Sequence, residues 1–535
     1  MVKAELIDKR IVLRGDTYQH KDVIKYFVGA KWDRKQKAWT FPPTVDALDA
    51  LRAYFQGFLN VDDECLNLDL QRQQIATAIE MKTADDLDDP ICTKTDMWNH
   101  QKQAFHFAQT IMGDAGGTLL AMDMGTGKTK VAIDLLNEHL ASKILVICPK
   151  AVMQVWPAEF VKHSFHPYKI QTMAGNKTLA VKTQKVIDSE AYWDVLVANK
   201  DIVWREPLRT FLLNANFDFV IYDESHHIKS PGSKVSRFMH TLSKRSKFRL
   251  ALTGTPMPQS PLDLYGQMRF VNENVYGTSF VRFRSRYAIM GGFENRQVIG
   301  YHNEDELRRL FEENAFVVKS DDVLDLPDQQ IVQRVCQLTP KESRVYRQMK
   351  DDFVAEIEDG VVTAANAMVK VIRLAQIANG VCDGERIGYS KQNLLEEVLD
   401  ELPLDEPVVI FCRFWPDMDS ARDVCKKGGR RYSELSGRKN QLAEWTSGVI
   451  AVQYQAGGAG VDLTLARYCL FFSPVYSLGN YEQAKKRVHR PGQTRPVTYV
   501  QLIAQGTVDR QIYRILDSKK EVLESIFGVV SGDDE

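Results

Sequence analysis

The chain has 535 residues, of which 44% are hydrophobic and 26% charged, the composition of an ordinary globular protein with room for roughly two to four domains. Its 69 basic and 70 acidic side chains almost cancel, so a polyanion has to be gripped by a local patch and not by overall charge. No apolar run approaches the roughly 18 residues that span a bilayer, the start MVKAELIDKR lacks the apolar core of a secretion signal, and the eight cysteines form no C-x-x-C pair. The expectation is an intracellular, soluble protein with no membrane partner, cytoplasmic if the source is prokaryotic or viral.

In chain order, "VKAELI" and "RIVLRG" alternate apolar and polar residues around a short turn and predict a hairpin. Thr17 to Phe27 reads as a helix, "AKW" and "KAWTF" as two strands around the turn "DRKQ", and a second helix starts at Thr44 with Val45, Leu48, Leu51 and Phe55 on one side. This is a ββαββα unit over residues 1–60. Alternation puts Trp39 and Phe41 on one face, in the core, and leaves Arg34, Lys35 and Lys37 at the exposed turn as candidates for phosphate contact. Residues 61–95 are rich in Asp and Glu, end at Pro90 and read as a linker holding one helix.

From residue 96 short apolar runs alternate with helical stretches: "GGTLLAM", "KILVICP", "DVLVAN", "FDFVIYD" and "FRLALTG". Such alternation predicts a parallel sheet covered on both faces. The pattern turns helical over 336–385 and restarts with "PVVIFCRF", "GVIAVQY", "RYCLFFSP" and "VTYVQLI". The expected architecture is α/β, with one lobe over 96–335, a helical connector over 336–385, a second lobe over 386–525 and an acidic tail over 526–535.

The stretch "MDMGTGKTK" follows a buried-type strand and opens a helix. Glycines there let backbone N–H groups close on phosphate oxygens. Gly125, Thr126 and Gly127 form that cradle, Lys128 places charge on the β- and γ-phosphates of ATP, and the Thr129 hydroxyl can bind Mg²⁺. Met122 stands where the general pattern has its first glycine. In "FDFVIYDESHH" a strand ends in adjacent carboxylates: Asp223 is placed for Mg²⁺ and Glu224 to orient and deprotonate a water, on a strand expected to neighbour that of the phosphate cradle.

D-E-S-H after this cradle, then "LTGTPMPQSPLDLYGQ", "QAGGAGVDLT" and "QAKKRVHRPGQ", resembles the motif series of superfamily 2 helicases, most closely their SWI/SNF branch, over about residues 96 to 515. The resemblance implies two RecA-like lobes. It further implies that Gln101 reads adenine, that Lys150 lies near the tracked strand, and that His226, Thr253, Thr255 and Gln483 couple hydrolysis to lobe movement. Gly458 and Thr464 then face nucleic acid, Asp462 faces ATP, and Arg487 and Arg490 are arginine fingers from the second lobe. Gln259, Asn199, Lys200 and Asp462 depart from the branch's usual residues.

"IKYFVGAKWDRKQKAWTFPP" resembles the HARP module that precedes annealing helicases, through Trp32, Asp33, Lys37, Trp39 and Phe41. The function this implies is a DNA-dependent ATPase, a monomeric motor that translocates on double-stranded or branched DNA and remodels or anneals it. The alternatives are a strand-separating DNA or RNA helicase and an ATP-driven remodeller of protein–DNA complexes.

Overall fold

The computed structural model describes residues 2–7, 10–27, 29–43, 45–113, 116–175, 177–292, 297–358, 364–454 and 461–527. Strands β1 (Val2–Ile7) and β2 (Arg10–Gly15) form one hairpin and β3 (Lys31–Asp33) and β4 (Ala38–Phe41) another. A fifth strand, β5 (Leu59–Val61), adds parallel to β1 and gives the order β3-β4-β2-β1-β5. The helix Val45–Phe55 lays Leu48 and Leu51 on Ile11, Leu13 and Phe41, and Trp39 packs at the margin of that core. Between the hairpins the helical stretch is shorter than expected, a turn at Tyr18–His20 followed by Lys21–Ile24.

The module does not stop at residue 60. Strand β5 crosses that boundary, and Cys65 of the next helix, Asp63–Met81, enters the same core. Three residues are too few to show a strand period, which is why the sequence reads as linker there. Nor is 61–95 a free spacer: Lys82 Nζ donates to the carbonyl of Ala315 (2.8 Å) and Lys130 Nζ to that of Thr95 (2.7 Å), strapping the segment to the first lobe.

The first lobe is built on β6 (Gly117–Met122), β7 (Ile144–Cys148), β8 (Ile170–Thr172), β9 (Val195–Asn199), β10 (Phe219–Asp223) and β11 (Phe248–Thr253). After a separate hairpin of β12 (Ala288–Gly291) and β13 (Gln297–Tyr301), β14 (Ala315–Val318) returns to its edge. The seven-stranded sheet is all parallel, in the order β14-β6-β11-β10-β7-β9-β8. Helices cover both faces, so β6, β7 and β10 are buried at every position and read as unbroken apolar runs.

The second lobe begins earlier than expected. Strand β15 (Gln329–Cys336) pairs in parallel with β22 (Val497–Ala504), so the boundary at 335 falls inside the second sheet. After the small hairpin of β16 (Val381–Cys382) and β17 (Glu385–Arg386), β18 (Val408–Cys412), β19 (Tyr432–Leu435), β20 (Val449–Gln453) and β21 (Tyr468–Phe471) complete the parallel order β15-β22-β21-β18-β20-β19. Strand β15 escaped the sequence reading because it lies at an edge with most side chains exposed. The helices Pro340–Glu358 and Ala364–Ala378 are likewise no connector: Tyr346, Leu374 and Ile377 share one core with Phe411 and Val452. The last helix, Val508–Phe527, runs past the expected boundary at 525. Among the described residues no helix is long and apolar enough to cross a membrane.

Candidate active site

The site lies where the carboxyl ends of both parallel sheets face each other, the usual place for a ligand in an open α/β sheet. The turn after β6 leads straight into the helix Lys128–Glu138, with Gly125 and Gly127 in the left-handed region (φ 89° and 88°). A Cβ on Gly127 would lie 2.1 Å from Gln101 Nε2, so the position needs glycine for its backbone and for its neighbour. Gln101 is fixed from both ends: its Oε1 accepts from Trp98 N (3.1 Å) and its Nε2 donates to Thr126 O (3.0 Å). His100 Nε2 meets the same carbonyl at 2.8 Å. Lys128 and Thr129 occupy the first turn of the helix, half-buried. Met122 is still a strand residue, paired with Val318 of β14, so the loop proper begins after it and needs no glycine there.

Asp223 ends β10, but β10 is not next to β6: β11, carrying Thr253, lies between them. The two motifs still converge, because all three strands end on one edge. Trp156 Nε1 donates to Asp223 Oδ2 (3.2 Å) and Glu224 N to Asp223 Oδ1 (3.0 Å). Glu224 adopts a left-handed backbone (φ 57°), strain of about 1 kcal/mol that turns its side chain off the strand. Its Oε2 stands 3.3 Å from His226 Nδ1, which stands 3.3 Å from Thr253 Oγ1, and that oxygen accepts from Thr255 N (3.0 Å). Burial raises the Asp223 carboxyl to about 6, and the charge of Glu224 adds to the rise. For Glu224 burial works the same way, but His226 and Lys128 outweigh it and hold the carboxyl low. Both are ionised at neutral pH, and Glu224 is the one that stays so further into acid.

The opposite wall is the helix Leu478–Val488 and the turn after it. Arg487 is only 3% exposed, and its Nε and Nη1, with Arg490 Nε, are buried without a hydrogen-bond partner among the described residues. Burial pulls the Arg487 guanidinium down to about 10, still charged at neutral pH, and Glu224 across the cleft supports that charge. Gln483, a turn earlier on the same helix, is half-buried. Around the cleft the lobes touch: Lys486 Nζ and Asp123 Oδ1 are 2.5 Å apart, Gly479 N donates to Pro258 O (3.2 Å), and a Cβ on Gly125 would lie 2.6 Å from Pro491 Cδ.

Asp462 is exposed and turned onto its own loop, where Oδ1 accepts from Thr464 N (2.9 Å) and Thr464 Oγ1 (2.7 Å). Gln493 Nε2 ties that loop to the second-lobe arginines through Thr464 O and Val488 O. Gly457, Gly458 and Gly460 lie outside the described residues. Lys150 is exposed just beyond β7, and Arg34, Lys35 and Lys37 are exposed at the tip between β3 and β4, with no contact to the cleft residues among the described bonds. Sequence reasoning did not single out Asp123, Lys486, His100 or Trp156. Asp123 and Lys486 lie within quoted motifs, but their pairing shows only when the lobes meet, and His100 and Trp156 act through tertiary packing.

The polar groups left unpaired in the cleft suit one kind of guest. Buried orphan guanidinium donors on one side and a deep carboxylate pair with a glycine-cradled lysine on the other fit a polyphosphate carrying a divalent cation. The fold and this site define a two-lobed P-loop protein. The SNF2-related domain profile matches residues 71–383 and the helicase conserved C-terminal domain profile residues 390–492. The chain belongs to the SNF2-related family. It is 25% identical over 450 residues to an ATP-dependent helicase of Mycoplasma genitalium, covering 79% of this chain and 42% of that protein. With the chromodomain-helicase-DNA-binding protein 1-like of Mus musculus it shares 27% over 443 residues, 77% of this chain and 48% of the other. The chain thus spans less than half the length of these curated relatives. The SWI2/SNF2 ATPase core of Sulfolobus solfataricus, solved in complex with dsDNA, aligns over 84% of this chain and 96% of its own at 24% identity and a TM-score of 0.40.

Proposed function

We propose that the chain is a DNA-dependent ATPase that moves along double-stranded or branched DNA and remodels or anneals it. The observation that carries the ATPase part is Arg487, a buried guanidinium with unmet donors, supplied by the second lobe to the carboxylate pair of the first. Leaving such a charge unpaired costs stability, which makes sense if substrate phosphate completes it.

In this reading Lys128 and the turn N–H groups hold the phosphates, and Gln101, fixed on Thr126 O, holds the base end of the pocket. Thr129 and Asp223 would hold Mg²⁺, which when bound offsets charge on the phosphate oxygens. Glu224, kept ionised, orients water and accepts its proton. Arg487 and Arg490 neutralise the charge that develops on the transferred phosphoryl group, a contribution of about 10³ to 10⁵ in rate in enzymes of this kind. The run from Glu224 through His226 and Thr253 to Thr255 ties the state of that carboxylate to the loop that meets the second lobe at Pro258. Opening and closing of the lobes then moves a strand held on both, with Lys150 and Thr464 among the contacts.

The test is ATP turnover with linear duplex, forked DNA, single strand and RNA, followed by strand-displacement and annealing assays on one substrate. Stimulation by forked or duplex DNA, lost in Lys128→Ala and Arg487→Ala, supports the reading. Stimulation by single-stranded RNA alone overturns it.

A further inference from the structure

At the base end of the nucleotide pocket one side chain is left without a use. Of the eight tryptophans, Trp98 and Trp32 are the most exposed, each at 49%. Trp32 lies edge-on against Trp39 in the N-terminal hairpin, ring centres 5.6 Å apart. Trp98 stands just before the helix Asn99–Met112, where among the described residues its ring meets only the imidazole of His100, at 5.5 Å. Its neighbours Met97 and Asn99 line a surface cavity with Asp85, Leu87 and Lys102, and Trp98, on extended backbone between them (φ −69°, ψ 157°), does not. An indole carries a large apolar face, and leaving half of it in water forgoes what burying it would gain.

The frame around that indole is fixed. Trp98 N donates to Gln101 Oε1 (3.1 Å), Gln101 Nε2 donates to Thr126 O (3.0 Å), and His100 Nε2 meets that same carbonyl at 2.8 Å. The ring therefore stands beside a deeply buried amide, on a scaffold tied to the phosphate turn. A side-chain amide has two donor hydrogens and two acceptor lone pairs. Each end of Gln101 has spent one of its two, so one donor and one acceptor remain, the pair that N7 and the amino group of adenine satisfy. Hydrogen bonds at the rim of a base replace bonds to water, so they gain little by themselves and leave the base free to pivot about that edge. A flat partner for the face of the base removes both shortcomings, and Trp98 presents one there, half in solvent.

We propose that Trp98 is the stacking platform for the base of the bound nucleotide, the indole covering its face while Gln101 reads its edge. The inference rests on the ATPase reading and deepens it by a base contact that the motif series does not supply. Gln101 and His100 are both fastened to Thr126 O, between Gly125 and Gly127, so a base seated on Trp98 sets how far the phosphates reach toward Lys128. Stacking tells a base from no base, since every base has a π-face; the Gln101 edge tells one base from another.

The test uses the full chain with Mg²⁺ and two diphosphates, ADP and inorganic pyrophosphate, with affinity read by calorimetry beside thermal unfolding. Trp98→Ala should weaken ADP binding about tenfold and leave pyrophosphate binding unchanged. KM for ATP should rise by a similar factor while kcat at saturation holds. Trp98→Phe, which keeps a flat ring, should recover most of the ADP affinity, and Trp98→Leu, apolar without a ring, should not. An equal loss of ADP and pyrophosphate in Trp98→Ala would make the side chain a prop for the phosphate turn and overturns the inference. So does a Trp98→Leu chain that binds ADP as the wild type does, a comparison that still decides if the alanine variant folds poorly. A wild-type chain that binds neither ligand refutes the ATPase reading, whereas ADP binding that survives intact in Trp98→Ala overturns the stack alone.

Discussion

Lys486 Nζ stands 2.5 Å from Asp123 Oδ1 and joins the second lobe to the phosphate-cradle turn of the first. The carboxylate is held independently of the lysine, since its Oδ2 accepts from Ser320 N (3.0 Å) and Ser320 Oγ (3.2 Å). Only the lysine has to be ordered on closure. With part of its side chain still in solvent, the pair contributes on the order of 1 kcal/mol and not the several that a fully dry pair would exchange.

Lys486→Met should therefore widen the lobes without unfolding either. Interlobe distance measured by fluorescence transfer lengthens, and kcat/KM for ATP falls about fivefold to tenfold, in line with that energy. Lys486→Arg restores both. A distance distribution unchanged in Lys486→Met would make the pair incidental.

Arg487 predicts two effects of opposite sign. Arg487→Ala should lower turnover by about 10³-fold or more. The same change removes a buried charge with unmet donors, so the unfolding temperature of the second lobe should stay or rise. A variant that loses activity and stability together would mean that Arg487 is structural.

Gly125 and Gly127 should fail in different ways. Gly127→Ala strikes Gln101 inside the first lobe, whereas Gly125→Ala strikes Pro491 of the second. Pro491→Ala, by clearing the ring atoms, should recover part of the activity lost in Gly125→Ala and none of that lost in Gly127→Ala. Each alanine keeps a backbone cost of about 1 kcal/mol from its positive φ, so recovery is incomplete.

Burial lowers Lys82 from 10.5 to about 8, against the pull of Glu312 and Glu313. Between those two values the unfolded chain binds more protons than the folded one, so stability contributed here rises with pH across that window. The gain is at most about 3 kcal/mol, from the size of the shift. Denaturant melts of wild type against Lys82→Met should show the upward slope in the first and its loss in the second. Parallel curves would place Lys82 in water.

The motif-bearing strands were legible because they are buried on both faces and end in residues with one chemical use, as in β6 before Gly125 and β10 before Glu224. What was illegible depends on distant partners. Strand β5 exists because β1 offers an edge, β14 because β6 does, and β15, mostly exposed, because β22 does. The Lys486 pairing was equally hidden: a lysine in a basic run carries no sign of the carboxylate it meets until two lobes close. Trp39 and Phe41 share the core face as alternation requires, yet Phe41 is buried and Trp39 only half so, because β4 has just the short edge strand β3 beyond it.

The grip of Asp123 on Ser320 has a mechanical side. Ser320 opens the short segment that carries the chain from β14, the edge of the first sheet, to β15, the edge of the second. In the proposed cycle the fulcrum about which the lobes swing is thus pinned to the turn that would cradle phosphate. A hinge set so close to the pocket is a short arm opposite a long one: a small gain or loss of contact at the turn is geared up into a wide sweep at the lobes' outer ends.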